Sequence, residues 1–323
     1  MEKFTKKQQI KELKEGDIVN DIFVVKIKRS ISEYSKGHFF TLILSDSSGG
    51  SIEYKYWGDF DQDKVKAIYN LIAPDSVVLV KGKVSSYQNK LQIGNSDPNN
   101  IRVLNQDEYE GDFIAGPQKD IDEMYSGLMS KIDSIKNEDL KKLLLDVFNS
   151  LGDKFKQHPG AIQIHHNWRG GLLQHTLEIV EYCETSCRLF PELDRDLLIS
   201  GTLLHDIGKL EEIETTSRIK GTRKGQFIGH LTLGVIHVAD KLKDSSVDDL
   251  LKEKLLHLIV SHHGELEYGS PKKPMFAEAV VLYFADQLSS RTSEFIEFIK
   301  ENKDATDDDS MYHRRHSTNI FLR

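Results

Sequence analysis

The chain has 323 residues, 38% hydrophobic, 29% charged and 9% aromatic, a globular balance with length enough for two domains. Net charge is 43 − 51 = −8, which excludes a protein that coats nucleic acid by bulk charge, although a local basic groove is compatible with it. No apolar run reaches the roughly 18 residues of a membrane span. The lysine-rich start lacks the apolar stretch of a secretory signal, and the two cysteines, Cys183 and Cys187, exclude a disulfide framework, so a reducing, cytoplasmic setting without a membrane partner is expected.

Residues 1–16 read as a charged lead-in with a weak helical pattern. Residues 17–110 then show short strands at Ile18–Arg29, His38–Ser45 and Ser51–Trp57, a helix at Gln62–Ala73, and strands at Ser76–Val84 and Tyr87–Ile93. In Ser51–Trp57 the side chains alternate, with Ile52, Tyr54 and Tyr56 on one face and Glu53 and Lys55 on the other. Three strands, a helix and two strands is the order of a five-stranded OB-like β-barrel. Residues 111–119, containing Gly116-Pro117, form a linker.

Residues 120–302 are helical in pattern, with periodic segments at Asp120–Lys131, Glu138–Gln157, Gly171–Phe190, Asp194–Leu210, His230–Leu242, Asp248–His262 and Ala277–Lys300. The fold class is therefore multi-domain α+β, an OB-like domain followed by an all-α domain. Residues 1–117 are nearly balanced (16 − 17 = −1), so the acidic excess (27 − 34 = −7) lies in the helical part, where divalent cations would offset some of it. Residues 303–323 form a tail, either disordered or docked on another subunit.

Twelve of the thirteen histidines fall after residue 117, ten of them within residues 120–302. Leu197–Leu210 is apolar nearly all round, yet holds His205-Asp206 in its middle; a buried unpaired carboxylate costs several kcal/mol, so something positive should meet it. His175 shares a face with Leu172 and Ile179, and His262 with Leu255 and Ile259. His230 opens a helix after Gly229, and Asp286 follows Leu282 by one turn. Imidazoles and carboxylates converging from separate buried helices make a metal site, in which a shared aspartate can bridge two ions. His262 and His263 diverge by about 100° if helical, and both reach one site if the helix ends there, as Gly264 suggests. Cys183 and Cys187 match no zinc or redox spacing.

The stretches LLQHT, LLHDIGKL, IGHL, VSHHGELEYGSP and FADQL, in this order, resemble the HD-domain metal-dependent phosphohydrolases. With HHNWRGGLLQHT (His165–Thr176) and the preceding OB-like domain, the architecture resembles the YhaM-type 3′–5′ exoribonucleases across roughly residues 10–300. The resemblance implies that His175, His205, Asp206 and Asp286 surround one metal, and that Asp206 bridges to a second held by His230 and by His262, His263 or both. It implies Mn²⁺ as the working ion; the nitrogen-and-oxygen ligand set also suits Fe or Co²⁺. Hydrolysis of single-stranded RNA from the 3′ end would then release nucleoside 5′-monophosphates, with Asp206 at the centre and Lys209 on a phosphate oxygen. His237 is a weaker ligand candidate, and His165 and His166 are supporting or substrate-binding candidates.

Arg169, flanked by Trp168 and two glycines, and a basic loop with Arg218, Lys220, Arg223 and Lys224 are candidate strand contacts. Tyr54, Trp57 and Tyr87 are candidate stacking platforms on the OB-like domain, although small barrels also need aromatics in their cores. Single-stranded DNA is a second candidate substrate, and a homo-oligomer is compatible with the sequence. The competing readings are a phosphohydrolase of nucleotides or cyclic dinucleotides, for which an OB domain is superfluous, and a non-catalytic nucleic-acid-binding protein.

Overall fold

Five strands carry the N-terminal unit: β1 (Ile18–Lys28), β2 (Gly37–Ser45), β3 (Ser51–Trp57), β4 (Val77–Tyr87) and β5 (Lys90–Asn95), with helix α1 (Gln62–Leu71) between β3 and β4. The computed structural model describes residues 3–88, 90–111, 113–117, 119–162, 166–303 and 308–323. β1, β2 and β3 pair antiparallel in sequence, β3 pairs with β5 in parallel, and β5–β4 and β4–β1 are antiparallel, so the pairing returns to its first strand. That is the OB order. Inward-facing Phe23, Phe40, Leu42, Tyr54, Val80 and Ile93 fill the ring.

The lead-in is part of this unit rather than a helical leader. Phe4–Thr5 pairs in parallel with Tyr109–Glu110, and Ile10 is buried. The ammonium of Lys6 lies 3.1 Å from Asp21 and 3.4 Å from Asp46, both buried carboxylates. By contact the unit comprises residues 1–116 together with 215–218.

The second unit comprises residues 117–214 and 219–323. Its helices are α2 (Ile121–Asp133), α3 (Glu138–Leu151), α4 (Asp153–Gln157), α5 (Gly171–Leu189), α6 (Arg195–Leu204), α7 (Lys209–Glu212), α8 (Arg223–Ile228), α9 (His230–Lys243), α10 (Asp249–Ser261) and α11 (Ala277–Asn302). Asp120, Asn137, Asp194 and Asp248 accept backbone N–H groups at the starts of α2, α3, α6 and α10. Part of the acidic excess therefore serves helix N-termini, where it satisfies orphan donors and complements the dipole.

Residues 197–204 of α6 are all buried. They pack among α5, α10 and α11 in one core that includes Leu172, Ile179, Leu198, Leu203, Leu258 and Leu282. The segment expected as one helix to Leu210 breaks after Leu204 into turns and the short α7, which turns Asp206 and Lys209 toward the same space.

The described part of the tail folds on its own chain. Ser310–His313 and Thr318–Phe321 form an antiparallel hairpin whose Ile320, like the following Leu322, is buried in the chain's own helical unit. Among the described residues no helix is long and apolar enough to cross a membrane.

Leu258 is fully buried between α10 and α6, so Leu258→Ala should cost about 2–5 kcal/mol of stability. The check is the denaturant midpoint of the helical unit, with the slope of the transition unchanged.

Candidate metal centre

Asp206 sits in the turn after α6 with its two carboxylate oxygens facing different histidines. Oδ2 lies 3.3 Å from His205 Nε2, 3.5 Å from His175 Nε2 and 2.6 Å from the ammonium of Lys209. Oδ1 lies 3.5 Å from His262 Nε2 and 3.6 Å from His230 Nε2. Asp286, one face of α11, brings Oδ1 to 3.1 Å from His175 Nε2. His263 turns its Nε2 to 3.3 Å from His230 Nε2. Both members of the adjacent pair reach the site because α10 ends at Ser261 and Gly264 turns the chain at φ +77°. A Cβ at Gly264 would also lie 2.3 Å from the Tyr283 ring.

The other nitrogen of each ring is anchored outward. His205 Nδ1 is 2.7 Å from the Thr202 carbonyl, His262 Nδ1 2.8 Å from that of Ile259, and His263 Nδ1 2.9 Å from that of Tyr268. His230 Nδ1 meets Glu212 at 2.9 Å. His175 Nδ1 is 3.2 Å from the Ser289 hydroxyl, which itself donates to Glu178 at 3.0 Å. A carbonyl or carboxylate can only accept, so each Nδ1 carries the proton and each Nε2 of the neutral ring presents a lone pair inward.

Two lone pairs facing at 3.3 Å, as in His230 and His263, repel unless a cation lies between them. His205 Nε2, Asp206 Oδ1 and His262 Nε2 are buried without a hydrogen-bond partner in the structure. The donor set thus fits divalent metal, and it divides into two groups of mutually close ligand atoms, His175-His205-Asp206 and His230-His262-His263.

Electrostatics agree for three of the rings, whereas the Asp206 carboxylate raises His205 against the effect of burial. Burial lowers His175 and His262, and burial with the neighbouring His262 and His230 brings His263 down to about 3, so these rings favour the neutral, ligating form. Burial alone would raise Asp206, but Lys209 and His205 hold it well below the usual carboxylate range. Asp286 is likewise lowered, with His175 overcoming burial.

Lys209 and Asp286 line a cavity of about 410 Å³ together with Asp206, His263 and Tyr268. His166 lies behind His175, its Nε2 3.0 Å from Glu178, which it and Gln174 draw down to about 2 against the opposing effect of burial. His165 lies outside the described residues, and His237 belongs to neither ligand group. Glu178, Glu212 and Ser289 went unread in the sequence; Glu178 stands three residues after His175 on the same helix face, which was the available signal.

The strand-contact candidates fare unevenly. The basic segment is not loop throughout: Ile213–Thr215 and Ile219–Gly221 pair as a small hairpin ahead of α8. Arg218 pairs with Asp75, Lys220 lies 3.4 Å from Glu214, and Lys224 pairs with Glu211, so carboxylates already take these charges. Arg223 is exposed, and Arg169 is half-buried just before α5.

Tyr54 is not a platform. It is fully buried in the OB core, where its hydroxyl accepts from Asn95 at 3.0 Å. Trp57 stacks on Phe39 at 4.9 Å and, with Tyr34 and Lys36, lines a cavity of about 600 Å³. Tyr87 is 59% exposed, with the Lys55 ammonium 5.4 Å from its ring.

Helices that bring buried histidines and aspartates around one carboxylate, in a chain that also carries an OB-fold unit, define a metal-dependent HD-domain hydrolase with a nucleic-acid-binding domain. Residues 172–291 match the HD domain family, and residues 23–97 match the OB-fold nucleic acid binding domain family named tRNA_anti-codon. The 3′–5′ exoribonuclease YhaM of Bacillus licheniformis is 32% identical over 259 residues, 78% of each chain. That of Bacillus subtilis is 30% identical over 278 residues, 85% of this chain and 86% of its own. The chain belongs to the YhaM family of 3′–5′ exoribonucleases.

Gly208, within the HDIG stretch, lets α9 approach closely: a Cβ there would lie 2.0 Å from the His230 carbonyl oxygen and 2.5 Å from the Gly234 nitrogen. Gly208→Ala should displace the start of α9 and with it His230, at the cost of about 1–3 kcal/mol typical of overpacking. Thermal unfolding should show a midpoint several degrees lower, and a crystal structure of the variant a shifted His230.

Proposed function

We propose that this protein is a metal-dependent exoribonuclease that shortens single-stranded RNA from its 3′ end and releases nucleoside 5′-monophosphates. The observation that carries the reading is Asp206, whose two oxygens face two separate groups of inward lone pairs. His175, His205, Asp206 and Asp286 would hold one ion, and Asp206, His230, His262 and His263 a second. Two divalent ions held there would supply an activated water and neutralise charge on the phosphoryl oxygens. Mn²⁺ is proposed as the working ion, consistent with a ligand set of imidazole and carboxylate without thiolate.

The residues around them set the reaction's geometry. The anchored Nδ1 groups fix each imidazole before substrate arrives, which limits reorganisation during the reaction. Lys209 is assigned a non-bridging oxygen of the scissile phosphate; its ammonium lines the cavity, and Asp206 and Asp286 raise its affinity for the proton against burial, keeping it charged. Water adds to phosphorus, the bond to the 3′-oxygen of the preceding nucleotide breaks, and that oxygen leaves with a proton.

The OB-fold unit is assigned the incoming strand. Trp57 and Tyr87 serve as stacking surfaces, which hold single strands with little sequence preference. Lys28 is otherwise engaged, its ammonium on the Tyr69 and Ile72 carbonyls at the end of α1. A unit of this kind has no use in an enzyme restricted to mononucleotides, which favours the polymer. Arg169 and Arg223 are further strand contacts in this reading, and the cytoplasm is its setting.

A 5′-labelled RNA 20-mer incubated with Mn²⁺-loaded protein should yield a ladder that shortens from the 3′ end, and Asp206→Ala should yield none. Intact RNA alongside turnover of a small phosphoester would sink the exonuclease reading.

Metal analysis should find close to two divalent ions per chain, with both lost in Asp206→Ala. Added Mn²⁺ at a hundredfold excess over its dissociation constant should stabilise the wild type by about 2.7 kcal/mol per ion bound and leave that variant unchanged in thermal unfolding.

A further inference from the structure

The cavity beside Asp206, Lys209 and Asp286 is also lined by Arg291, Glu294, Arg315 and His316. Its volume of about 410 Å³ exceeds what the metal centre alone requires and falls in the range of sites for small organic ligands. Helix α11 sets the spacing. At about 1.5 Å per residue, Arg291 stands about 7.5 Å and Glu294 about 12 Å along the axis from Asp286.

Arg315 and His316 come from the C-terminal hairpin, which is firmly seated. Ile320 and Leu322 are buried, His316 packs on Phe295 with ring centres 4.9 Å apart, and His313 packs on Phe298 at 4.7 Å. Glu294 gathers the turn: its carboxylate lies 3.0 Å from His316 Nε2, 3.3 Å from Arg315 Nη1 and 3.6 Å from His313 Nε2.

Glu294, His313 and His316 also have the spacing of a cation site. The Arg315 guanidinium on the same carboxylate competes with any such ion, so the group acts as a clamp on the turn. That clamp offsets the one carboxylate at this end of the cavity. Arg291 donates to Gln287 at 3.0 Å through Nε, and Arg315 meets Glu294 through Nη1. Each guanidinium carries five N–H groups in a planar fork suited to phosphate, so donors remain on both.

We propose that Arg291 and Arg315 form a second phosphate subsite, which takes the phosphodiester on the 5′ side of the scissile one. The proposal rests on the exonuclease reading above. A strand with a free 3′-hydroxyl has no phosphate beyond its last nucleoside, so a second phosphate near the metal centre comes only from the 5′ side. The C-terminal hairpin thereby becomes part of the substrate cleft and distinguishes a strand from a single phosphodiester.

The test compares Mn²⁺-loaded wild type, Arg291→Gln, Arg315→Gln, the double variant and Arg315→Lys. Substrates are the dinucleotide UpU, with one phosphodiester, and the trinucleotide UpUpU, with two, both ending in a free 3′-hydroxyl. On UpUpU the double variant should lose about 10- to 100-fold in kcat/KM, the scale of hydrogen bonds to a charged group. UpU should be cleaved at the wild-type rate, and Arg315→Lys should recover part of the loss. Binding of 5′-fluorescein-labelled UpUpU to chelator-treated protein, followed by anisotropy, should weaken in Arg291→Gln while its thermal midpoint stays at the wild-type value. Equal losses on UpU and UpUpU, or no loss on either, would overturn the subsite and leave the exonuclease reading intact. Wild-type protein that cleaves neither oligonucleotide but turns over bis(p-nitrophenyl) phosphate would overturn both.

Discussion

A carboxylate buried where an all-apolar helix ends is the constraint on which the helical unit depends. Removing Asp206 from water costs several kcal/mol, and only positive charge or metal at close range offsets that cost. Lys209 supplies one charge at 2.6 Å, three residues along the chain. The four imidazoles within 3.6 Å of Asp206 present nitrogens that Thr202, Ile259, Glu212 and Ser289 have left as lone pairs. The arrangement is balanced for cations and poorly balanced without them. Five separate segments of chain must be held in register to achieve it, which accounts for the dense packing of α5, α6, α9, α10 and α11 beneath it.

Much of that centre was legible because it violates the rule that buried residues are apolar. His175, His205, Asp206, His262 and Asp286 stand out in the sequence as polar groups on apolar helix faces. Glu178 and Glu212 do not, since a glutamate on a helix ordinarily faces water and periodicity cannot show that these two turn toward an imidazole. The order of strands was readable from alternation in β3 and turn chemistry after β2. Which aromatics fill the ring was less so: Tyr54 sits on the face of Ile52, and that shared face is what buries it.

Local charge density was a weak guide to which side chains are paired or packed. The basic stretch around Arg218 and Lys224 looked like a loop for nucleic acid, yet the nearby carboxylates of Asp75, Glu214 and Glu211 absorb it. The tail left disorder and docking on another subunit both open, because its apolar anchors, Ile320 and Leu322, are few and its histidines and arginines many. Glu294 converts those same residues into a docked element. In both cases the deciding partner is remote in sequence, and local composition carries no trace of it.

The first sixteen residues repeat this pattern with a practical consequence. Lys6 reaches Asp21 and Asp46, and the backbone N–H groups of Lys7, Gln8 and Ile10 donate to the same two carboxylates. A truncation beginning at residue 17, natural enough from the look of the lead-in, would strip two buried acids of the OB unit of their countercharge and of three backbone donors. Stranding a buried charge in this way costs about 3–5 kcal/mol. Such a fragment would lose its nucleic-acid-binding domain through misfolding, and its inactivity would be mistaken for evidence that the missing residues touch RNA.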